Sequence, residues 1–341
     1  MLKKFIIGNG FEDERLNNIV VSRSVFGEVT LYKLLSQISQ TISRQHAASL
    51  ALRFDGNYQI ADVSHLPYRD CRYGMADSKD YSGLIHYYNN WHKDPTMTFK
   101  PGDIAKINAF NPNPEVVKTQ WEKQGKDYRG QISILRLDDE YIYPLAPIDA
   151  ALEDADTEAQ IKAFKNSELN KGFFAKYMLY HTAFATQRDA DDFKEVLRKF
   201  EGGTHESSIM LLEGTFDEKG DLLTSDNIKL EKVEQNINDK LFESYEKSVS
   251  NNIRKAYYAM PSILIEQQDG AFFGSSGEAF VQAFNFANSQ TSDIRSAVSQ
   301  WLANIFKYSA ISDLRNANYT IKNLAYGTVD TGGTTDDTTA R

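Results

Sequence analysis

The stretch FESYEKSVSNNIRKAYYAMPSILI, residues 242–265, decides how we interpret this chain. Apolar residues recur every four positions through it and just before it. They are Val233, Ile237, Leu241, Tyr245, Val249 and Ile253. This spacing predicts one long helix over about 232–259, ~40 Å in length at ~1.5 Å per residue. Pro261 should break it, because proline cannot continue a helical hydrogen-bond ladder.

A glycine-bearing segment follows the proline. Its centre reads Gly270, Ala271, Phe272, Phe273, Gly274 and Ser275. Two bulky aromatics between two glycines in a polar stretch allow two interpretations. The aromatics either pack into the loop's own core, or form a mobile functional surface in which the glycines supply the freedom. Two further helices are predicted after it, over 277–287 and 292–308.

The centre of the chain predicts a helix, a strand and a second helix. The first helix covers 149–167, and Asn170-Lys171-Gly172 ends it. The strand lies in FFAKYMLYHTAF, and SSIMLLEG predicts another strand further on. The second helix, DADDFKEVLRKFEGG, has one apolar face. That face comprises Phe193, Val196, Leu197 and Phe200.

The first ~145 residues are β-rich with interruptions. Within them Leu34, Leu35, Ile38 and Ile42 predict one amphipathic helix. Alternating segments on both sides of Asp55-Gly56-Asn57 predict a hairpin. The chain thus combines strand-like runs with helices, and we expect an α+β fold.

Composition excludes several classes of protein. The 341 residues carry a formal net charge of −9, which is unlike that of a protein that grips nucleic acid through a basic face. No apolar run reaches the ~18 residues of a membrane helix, and the start lacks the pattern of a signal peptide. The single cysteine, Cys71, excludes an internal disulfide and a cysteine-rich zinc site.

A search for catalytic chemistry finds no diagnostic motif. Six histidines are present, but none has the spacing of a known metal motif. A metal-dependent hydrolase that uses His86 or His92 with acidic loops stays open as an alternative. The acidic runs 154–156 and 189–192 lie at predicted helix starts, where acids are favoured without any metal. Cys71 is either a nucleophile or, with no activating neighbour, a structural residue, and Gly8-Asn9-Gly10 predicts a turn.

The order of segments from about 5 to 308 resembles the phage portal proteins of tailed double-stranded DNA viruses. Five stretches carry this resemblance, and the last is the most specific. They are FIIGNGFED with the helix and hairpin after it, GLIHYYNNWHKDP, EYIYPLAPIDAAL with IKAFKNSELNKGFFAKYMLYH, DADDFKEVLRKFEGGTHESSIMLLEG, and 242–265 with AFVQAFNFANSQTSDIRSAVSQWLANIF.

The resemblance implies a portal-like fold with a mixed α/β wing, two stem helices joined by a clip, and a long helix followed by a channel-proximal loop. It implies an N-terminal wing over 1–147, a stem over 148–200 with its clip at about 172–188, a returning wing with the C-terminal helices over 201–330, and a disordered tail over 331–341. Gly270 to Ser275 would be the tunnel loop, and Phe193, Val196, Leu197 and Phe200 would pack the stem. The clip would include Phe173, Phe174 and Tyr177.

The resemblance also implies the partners. A portal subunit forms a homo-oligomeric ring, usually of twelve copies, at one vertex of the viral capsid, and is assembled in the host cytoplasm. The ring passes double-stranded DNA without sequence preference and docks the terminase large subunit, the head-tail adaptor and the major capsid protein. It performs no covalent chemistry and needs no cofactor, metal or membrane. Another structural head-tail protein of a phage is the nearer alternative to this function.

Two departures from the family pattern are visible. Portal sequences usually carry residues before the segment that matches FIIGNGFED, so we expect either a shortened start or a compact member. The C-terminal crown of many portals is absent here or reduced to the Thr/Asp-rich tail.

Overall fold

The fold was analysed in a computed structural model. It describes residues 1–74, 83–91, 100–171, 177–182, 186–188, 191–192, 195, 209–214, 228–232, 239–265 and 276–325. The chain divides into two compact units. The body unit comprises residues 1–150 and 254–341, and the insert unit comprises residues 151–253.

Two sheets occur among the described residues of the body unit. The strands are β1 (Val20–Ser24), β2 (Gly27–Thr30), β3 (Ala47–Phe54), β4 (Ile60–Leu66), β5 (Cys71–Tyr73), β6 (Leu84–Tyr87), β7 (Ala105–Ala109) and β8 (Gln131–Arg136). β1 and β2 form a separate antiparallel hairpin, and the other six form one sheet in the order β4-β3-β8-β7-β6-β5. The predicted hairpin around Asp55-Gly56-Asn57 is confirmed, because β3 and β4 pair antiparallel on either side of it.

The six-stranded sheet is curled. Its edge strands β4 and β5 are nearly consecutive in sequence, so the chain from Leu66 to Cys71 can span at most ~17 Å. In a flat sheet the same strands would lie ~24 Å apart, at ~4.8 Å per neighbouring pair. The sheet therefore bends back on itself, and the Ser49 hydroxyl of β3 lies 3.7 Å from the Cys71 sulfur. A small apolar cluster with Cys71, Ile85 and Ile107 packs inside this curl.

The described residues also form helices in both units. They are α1 (Leu2–Ile7), α2 (Leu31–Gln45), α3 (Pro114–Gln124), α4 (Leu152–Lys171), α5 (Asp239–Ala256), α6 (Ser276–Gln290), α7 (Ser292–Phe306) and α8 (Ser312–Arg315). The apolar face predicted for α2 is confirmed, since Leu34, Leu35, Ile38 and Ile42 are fully buried. Each such side chain stabilises the fold by ~1.5–3 kcal/mol. They join α1, α7 and the inner face of β3 in the main core.

The sequence analysis missed α1 and α3, as well as the single turn of α8. α1 is short, but Leu2, Phe5 and Ile6 are buried in the main core, so tertiary packing rather than periodicity forms it. α3 begins at Pro114, in a region where the sequence analysis predicted no helix. Asn113 caps it by accepting a hydrogen bond from the Glu115 amide at 3.0 Å, and Pro114 occupies the first helical position. This Asn-Pro start is a signal from which α3 was predictable.

The insert unit combines two helices with a three-stranded sheet. Its strands are β9 (Tyr177–Thr182), β10 (Ile209–Gly214) and β11 (Ile228–Lys232). β9 lies in the centre, parallel to β10 and antiparallel to β11. The strands predicted in FFAKYMLYHTAF and SSIMLLEG are thus confirmed.

Polar contacts set the helices α4 and α5 antiparallel. Lys165 near the end of α4 pairs with Glu246 of α5 at 2.6 Å. Asp154 at the start of α4 accepts from the Asn252 side-chain amide at 3.0 Å. The order of the partners along the two helices is reversed, which defines their relative direction.

The long helix differs from the prediction in its bounds. α5 covers Asp239–Ala256, whereas we had expected a helix from about Lys232 to Ala259. Lys232 is instead the last residue of β11 and pairs with Tyr177. Within the predicted stripe Val249 is buried at 4% exposure, but Tyr245 is 52% exposed. The predicted ends at Lys232 and Ala259 are therefore both wrong, and residues 233–238, where the predicted stripe begins, lie outside the described part of the chain.

No helix in the described part of the chain combines the length and the apolar character needed to cross a bilayer.

Candidate functional site

Most residues of the predicted tunnel loop, stem face and clip lie outside the described part of the chain. This holds for Gly270 to Ser275, for Phe193, Val196, Leu197 and Phe200, and for Phe173 and Phe174. Tyr177 is described as the first residue of β9, opposite Ile209 of β10 and Lys232 of β11. The roles of all these residues stay predictions. The structure does show how the two ends of the segment 266–275 are held.

The chain enters this segment through a backbone reversal after α5. Tyr258 and Ala259 both have left-handed backbone angles, with φ of 60° and 49°. Such angles cost a non-glycine residue ~1–2 kcal/mol. The cost is offset by contacts. The Ala259 amide donates to the Lys255 carbonyl at 3.2 Å, and the Tyr258 hydroxyl lies 2.8 Å from Nε2 of His46.

His46 is the fixed partner in this contact. It caps α2 in a left-handed conformation, with φ of 50°, and its amide donates to the Ile42 carbonyl. Burial lowers the pKa of its imidazole, and a hydrogen bond with the Leu145 backbone and the charge of Asp138 oppose that shift. The neutral ring is therefore favoured. With one nitrogen directed to Leu145, the other can accept from the Tyr258 hydroxyl.

A short turn then anchors the chain in the core before it leaves. Met260 and Leu264 are 3% and 8% exposed and belong to the main core. The Leu264 amide donates to the Pro261 carbonyl at 3.1 Å, and the Ile265 amide donates to the Ser262 carbonyl at 2.8 Å. Ile265, the last described residue before the segment, is 49% exposed. The chain is therefore held in the core up to Leu264 and reaches the surface at Ile265.

The chain returns from the segment into α6, which is also anchored. Phe284 packs against Phe5 of α1 with ring centroids 5.0 Å apart, and against Phe280 at 6.2 Å. The helix also lies against the turn at Ser262–Leu264. Val281 and Phe286 of the same helix are exposed. Both ends of the segment 266–275 are therefore attached to one core.

Sequence reasoning missed both anchors. His46 and Tyr258 are 212 positions apart, and no local pattern connects them. Phe5 and Phe284 are similarly distant. The one available signal was the aromatic pair Tyr257-Tyr258 directly before Met260-Pro261, where a tyrosine at a chain reversal predicts a hydroxyl contact.

The residues considered for chemistry have structural roles where they are described. Cys71 is 2% exposed, and burial raises the pKa of its thiol to about 11, so it stays protonated and inert. His86 on β6 stands directly opposite Arg72 of β5 and Lys106 of β7. Two cations beside one histidine oppose the binding of a metal dication. His92 lies outside the described residues.

The acidic runs have local partners. Asp139 pairs with Arg136 at 2.8 Å, and Asp138 accepts from the Glu140 amide at 2.9 Å. Asp191 accepts from the Gln187 side-chain amide at 3.2 Å. Within the described ranges, histidine, cysteine and acidic side chains form no group of three or more that could hold a metal ion.

Comparisons with known proteins give matches among solved structures. No protein-family model matches the chain, and none of the curated proteins matches it. A chain of the virion of a native gene transfer agent particle is 12% identical and has a TM-score of 0.52, covering 94% of this chain and 77% of that one. A chain of the neck of the native particle is 13% identical, with a TM-score of 0.46 and coverage of 85% and 71%. An HK97 family phage portal protein from Corynebacterium diphtheriae is 13% identical, with a TM-score of 0.42 and coverage of 89% and 84%.

The chain has the fold of a virion component. The likeness to the virion chain runs through 94% of the sequence and therefore includes both the body unit and the insert unit. The α+β fold class is confirmed by the sheets and helices of both units. At the level of the fold, the resemblance to phage portal proteins is also confirmed.

Proposed function

We propose that this chain is a portal subunit, which forms a homo-oligomeric ring at a capsid vertex. The observation that carries the proposal is the fold shared with a virion component along nearly the whole chain. A partial match would be expected if one common domain were shared. A match through both units favours a common architecture. The sequence resemblance to portal proteins, which follows the order of segments, points to the same function.

In this proposal the ring is a conduit for double-stranded DNA during packaging and ejection. The chain's net charge of −9 suits a wall along which DNA must slide. A strongly basic wall would exchange counterions with the phosphates and retain the DNA. The segment with Gly270 to Ser275 would reach the channel, as the portal resemblance implies, and the described residues on both sides of it are fixed to the core.

The insert unit would provide the stem and the clip. α4 would be one stem helix, and the apolar face with Phe193, Val196, Leu197 and Phe200 would pack the other. The clip, with Phe173, Phe174 and Tyr177, would dock the terminase large subunit and later the head-tail adaptor. The body unit would be the wing that contacts the major capsid protein.

The proposed ring performs no covalent chemistry. Cys71 is buried and protonated, and His86 lies between two cations. These environments are unsuited to a nucleophile and to a metal-bound water. They favour a structural role over the hydrolase alternative.

The test is the mass of the purified chain in solution, measured by light scattering, with negative-stain images of the same fractions. We expect a particle of about twelve subunit masses with a central hole. A monomer at every concentration tested, up to ~1 mM, would contradict the proposal. Solid particles without a hole would favour another structural head-tail protein.

A further inference from the structure

The tip of the β1–β2 hairpin, which is the turn between the two strands, has an unusual amino-acid composition. Turn residues are normally glycine, asparagine, aspartate or serine. Here the turn between the strands consists of Val25 and Phe26, whose exposed fractions are 95% and 91%. Two large apolar side chains at the end of a two-stranded ribbon contribute almost nothing to the stability of the chain that carries them. Positions where the residue type departs from what the local structure prefers are often functional.

Hydrogen bonds hold this tip in one conformation. The Phe26 amide donates to the Ser24 hydroxyl at 3.2 Å, and that hydroxyl donates to the Gly27 carbonyl at 3.3 Å. Gly27 takes the left-handed conformation, with φ of 99°, that a side chain would resist. Arg23 and Glu28 pair across the hairpin at 3.1 Å. A pre-organised apolar tip loses little entropy when it binds.

The same unit carries a pocket of complementary character. It has a volume of about 360 Å³ and is lined by Gln45, Tyr68, Arg69, Arg72, Tyr143 and Pro144, with Ala146 beside them. Tyr68 is 6% exposed. Its hydroxyl is buried and has no hydrogen-bond partner within the described residues. A buried hydroxyl without an acceptor costs ~1–3 kcal/mol, so this pocket is incomplete in the single chain.

The mouth of the pocket is aromatic and apolar. The Arg72 guanidinium lies 5.8 Å from the centre of the Tyr143 ring, and its Nη1 donates to the Arg69 carbonyl at 2.7 Å. Next to Tyr143, which is itself 40% exposed, the side chains of Tyr141, Ile142 and Leu145 are 47%, 50% and 45% exposed. A run of exposed apolar residues at a pocket mouth is typical of a surface that another protein covers.

We propose that the Val25-Phe26 tip of one copy inserts into the Tyr68–Tyr143 pocket of the next copy in the ring. This inference rests on the proposed ring. Because the tip is almost fully exposed, it does not occupy the pocket of its own chain. Tip and pocket are different surfaces, so the contact is heterologous, which is the type of contact that closes a ring.

The chemistry of the two surfaces matches. Phe26 can remove ~200 Å² of its own surface from water against the aromatic lining. The Tyr68 hydroxyl gains an acceptor among the carbonyls of the inserted turn. Glu28, on the same hairpin, would then face Arg69 at the rim, whose guanidinium lies 3.6 Å from the Asp70 carboxylate and whose side chain is 61% exposed. A second copy of this chain therefore satisfies the apolar, polar and charged groups of the pocket together.

Engineered disulfides test the contact directly. We would compare the double variant V25C/A146C with the control V25C/Q282C, which places the second cysteine on the exposed face of α6. The native Cys71 should form no cross-link, because it is buried and its thiol is protonated. Under mild oxidation V25C/A146C should give a ladder of covalent oligomers beyond the dimer. Rings of this variant that yield no more cross-linking than the control would overturn the inference.

Assembly provides the second measurement. Replacing both tip residues, V25S/F26S, should raise the concentration at which half of the chain is in rings at least tenfold. The matched control K118S/E122S replaces two exposed residues of α3, leaves the tip and the pocket unchanged, and should leave that concentration within threefold. All four side chains are exposed, so circular dichroism should be unchanged in both variants.

The outcomes separate this inference from the proposed function. Rings that form equally well from V25S/F26S would overturn the inference and leave the portal function standing. Such rings that fail to enter particles would assign the tip to a different particle protein, which also overturns it. An unmodified chain that stays monomeric would remove both proposals.

Discussion

At the scale of single residues, some positions tolerate no substitution, either because another part of the backbone lies too close or because the side chain is buried with all its hydrogen bonds inside the protein. Gly130 has φ of 83°, and a Cβ there would lie 2.0 Å from the Leu52 carbonyl oxygen. Arg295 is buried among neutral acceptors on α1, α6, α7 and the C-terminal segment. Both residues hold separate parts of the body unit together, and neither takes part in the proposed function.

Gly130→Ala should destabilise the body unit by at least about 2 kcal/mol, because the added methyl group meets backbone and the backbone angle is unsuited to alanine. The control is Gly56→Ala in the β3–β4 turn, where nothing lies within 4 Å and no left-handed angle is required. Thermal unfolding followed by circular dichroism measures both. Equal melting temperatures for the two variants would contradict the prediction.

Arg295→Met should cost about 3 kcal/mol. The guanidinium donates to the carbonyls of Phe5 and Asn288, to the Thr291 hydroxyl and to the Asn323 side chain at 2.6–2.9 Å. Methionine fills similar space but leaves these acceptors unpaired. Arg23→Met, at a largely exposed position, is the matched control and should change the free energy of unfolding by less than about 0.5 kcal/mol. If Arg295→Met lowers the free energy of unfolding no more than Arg23→Met does, the prediction is wrong and water replaces the guanidinium as the donor.

At the scale of elements, the anchored segment 266–275 is the most informative feature. Its entry is held by the His46–Tyr258 contact and its return by Phe284 against Phe5. The strained angles at Tyr258 and Ala259 persist only because these contacts determine them. Loosening the entry should therefore affect the segment before it affects the sheet.

Because it involves a histidine, the His46–Tyr258 contact should make the free energy of unfolding depend on pH. Burial lowers the pKa of His46, and also that of His65, which lies 2.7 Å from the Thr41 hydroxyl. Because the folded-state pKa lies below the unfolded value of about 6.5, the unfolded chain binds more protons between the two values. The free energy of unfolding should therefore fall as the pH drops through and below about 6.5.

Melting temperatures of the unmodified chain between pH 7.5 and 5.5 measure this fall. His46→Gln should reduce its size, because glutamine does not titrate. Tyr258→Phe removes the hydroxyl and should lower stability by about 1 kcal/mol at pH 7.5. A pH dependence identical in His46→Gln and the unmodified chain would assign the effect to other groups.

At the scale of the whole molecule, the net charge bears on how the chain would interact with DNA. A chain with a net charge of −9 has no general attraction for phosphates, so any DNA that it encloses is retained by geometry. This is the property that a conduit needs and a nucleic-acid-binding protein avoids.

Double-stranded DNA should therefore bind weakly and without salt dependence. We expect a dissociation constant weaker than about 100 µM at physiological salt, in fluorescence anisotropy with a short linear duplex. Changing the salt from 50 to 200 mM should leave the signal unchanged. Micromolar binding with a steep salt dependence would indicate a basic surface that is active in the assembled ring.

The sequence by itself determined the elements whose pattern is local. The apolar face of α2, the hairpin at Asp55-Gly56-Asn57 and the strands β9 and β10 were predictable because periodicity and turn chemistry depend on neighbours in the chain. The α+β class and the portal resemblance followed from their order. The predicted helix start at Lys232 was wrong, because that residue is the last of the strand β11.

Only the tertiary structure decided the rest. α1 is a helix because Phe5 and Ile6 are buried, and the six-stranded sheet curls because a short connection must join its two edges. The His46–Tyr258 contact and the incomplete pocket at Tyr68 join residues that are distant in sequence or lie on different elements. Burial and long-range contact are properties of the folded chain, and for that reason no local pattern contains them.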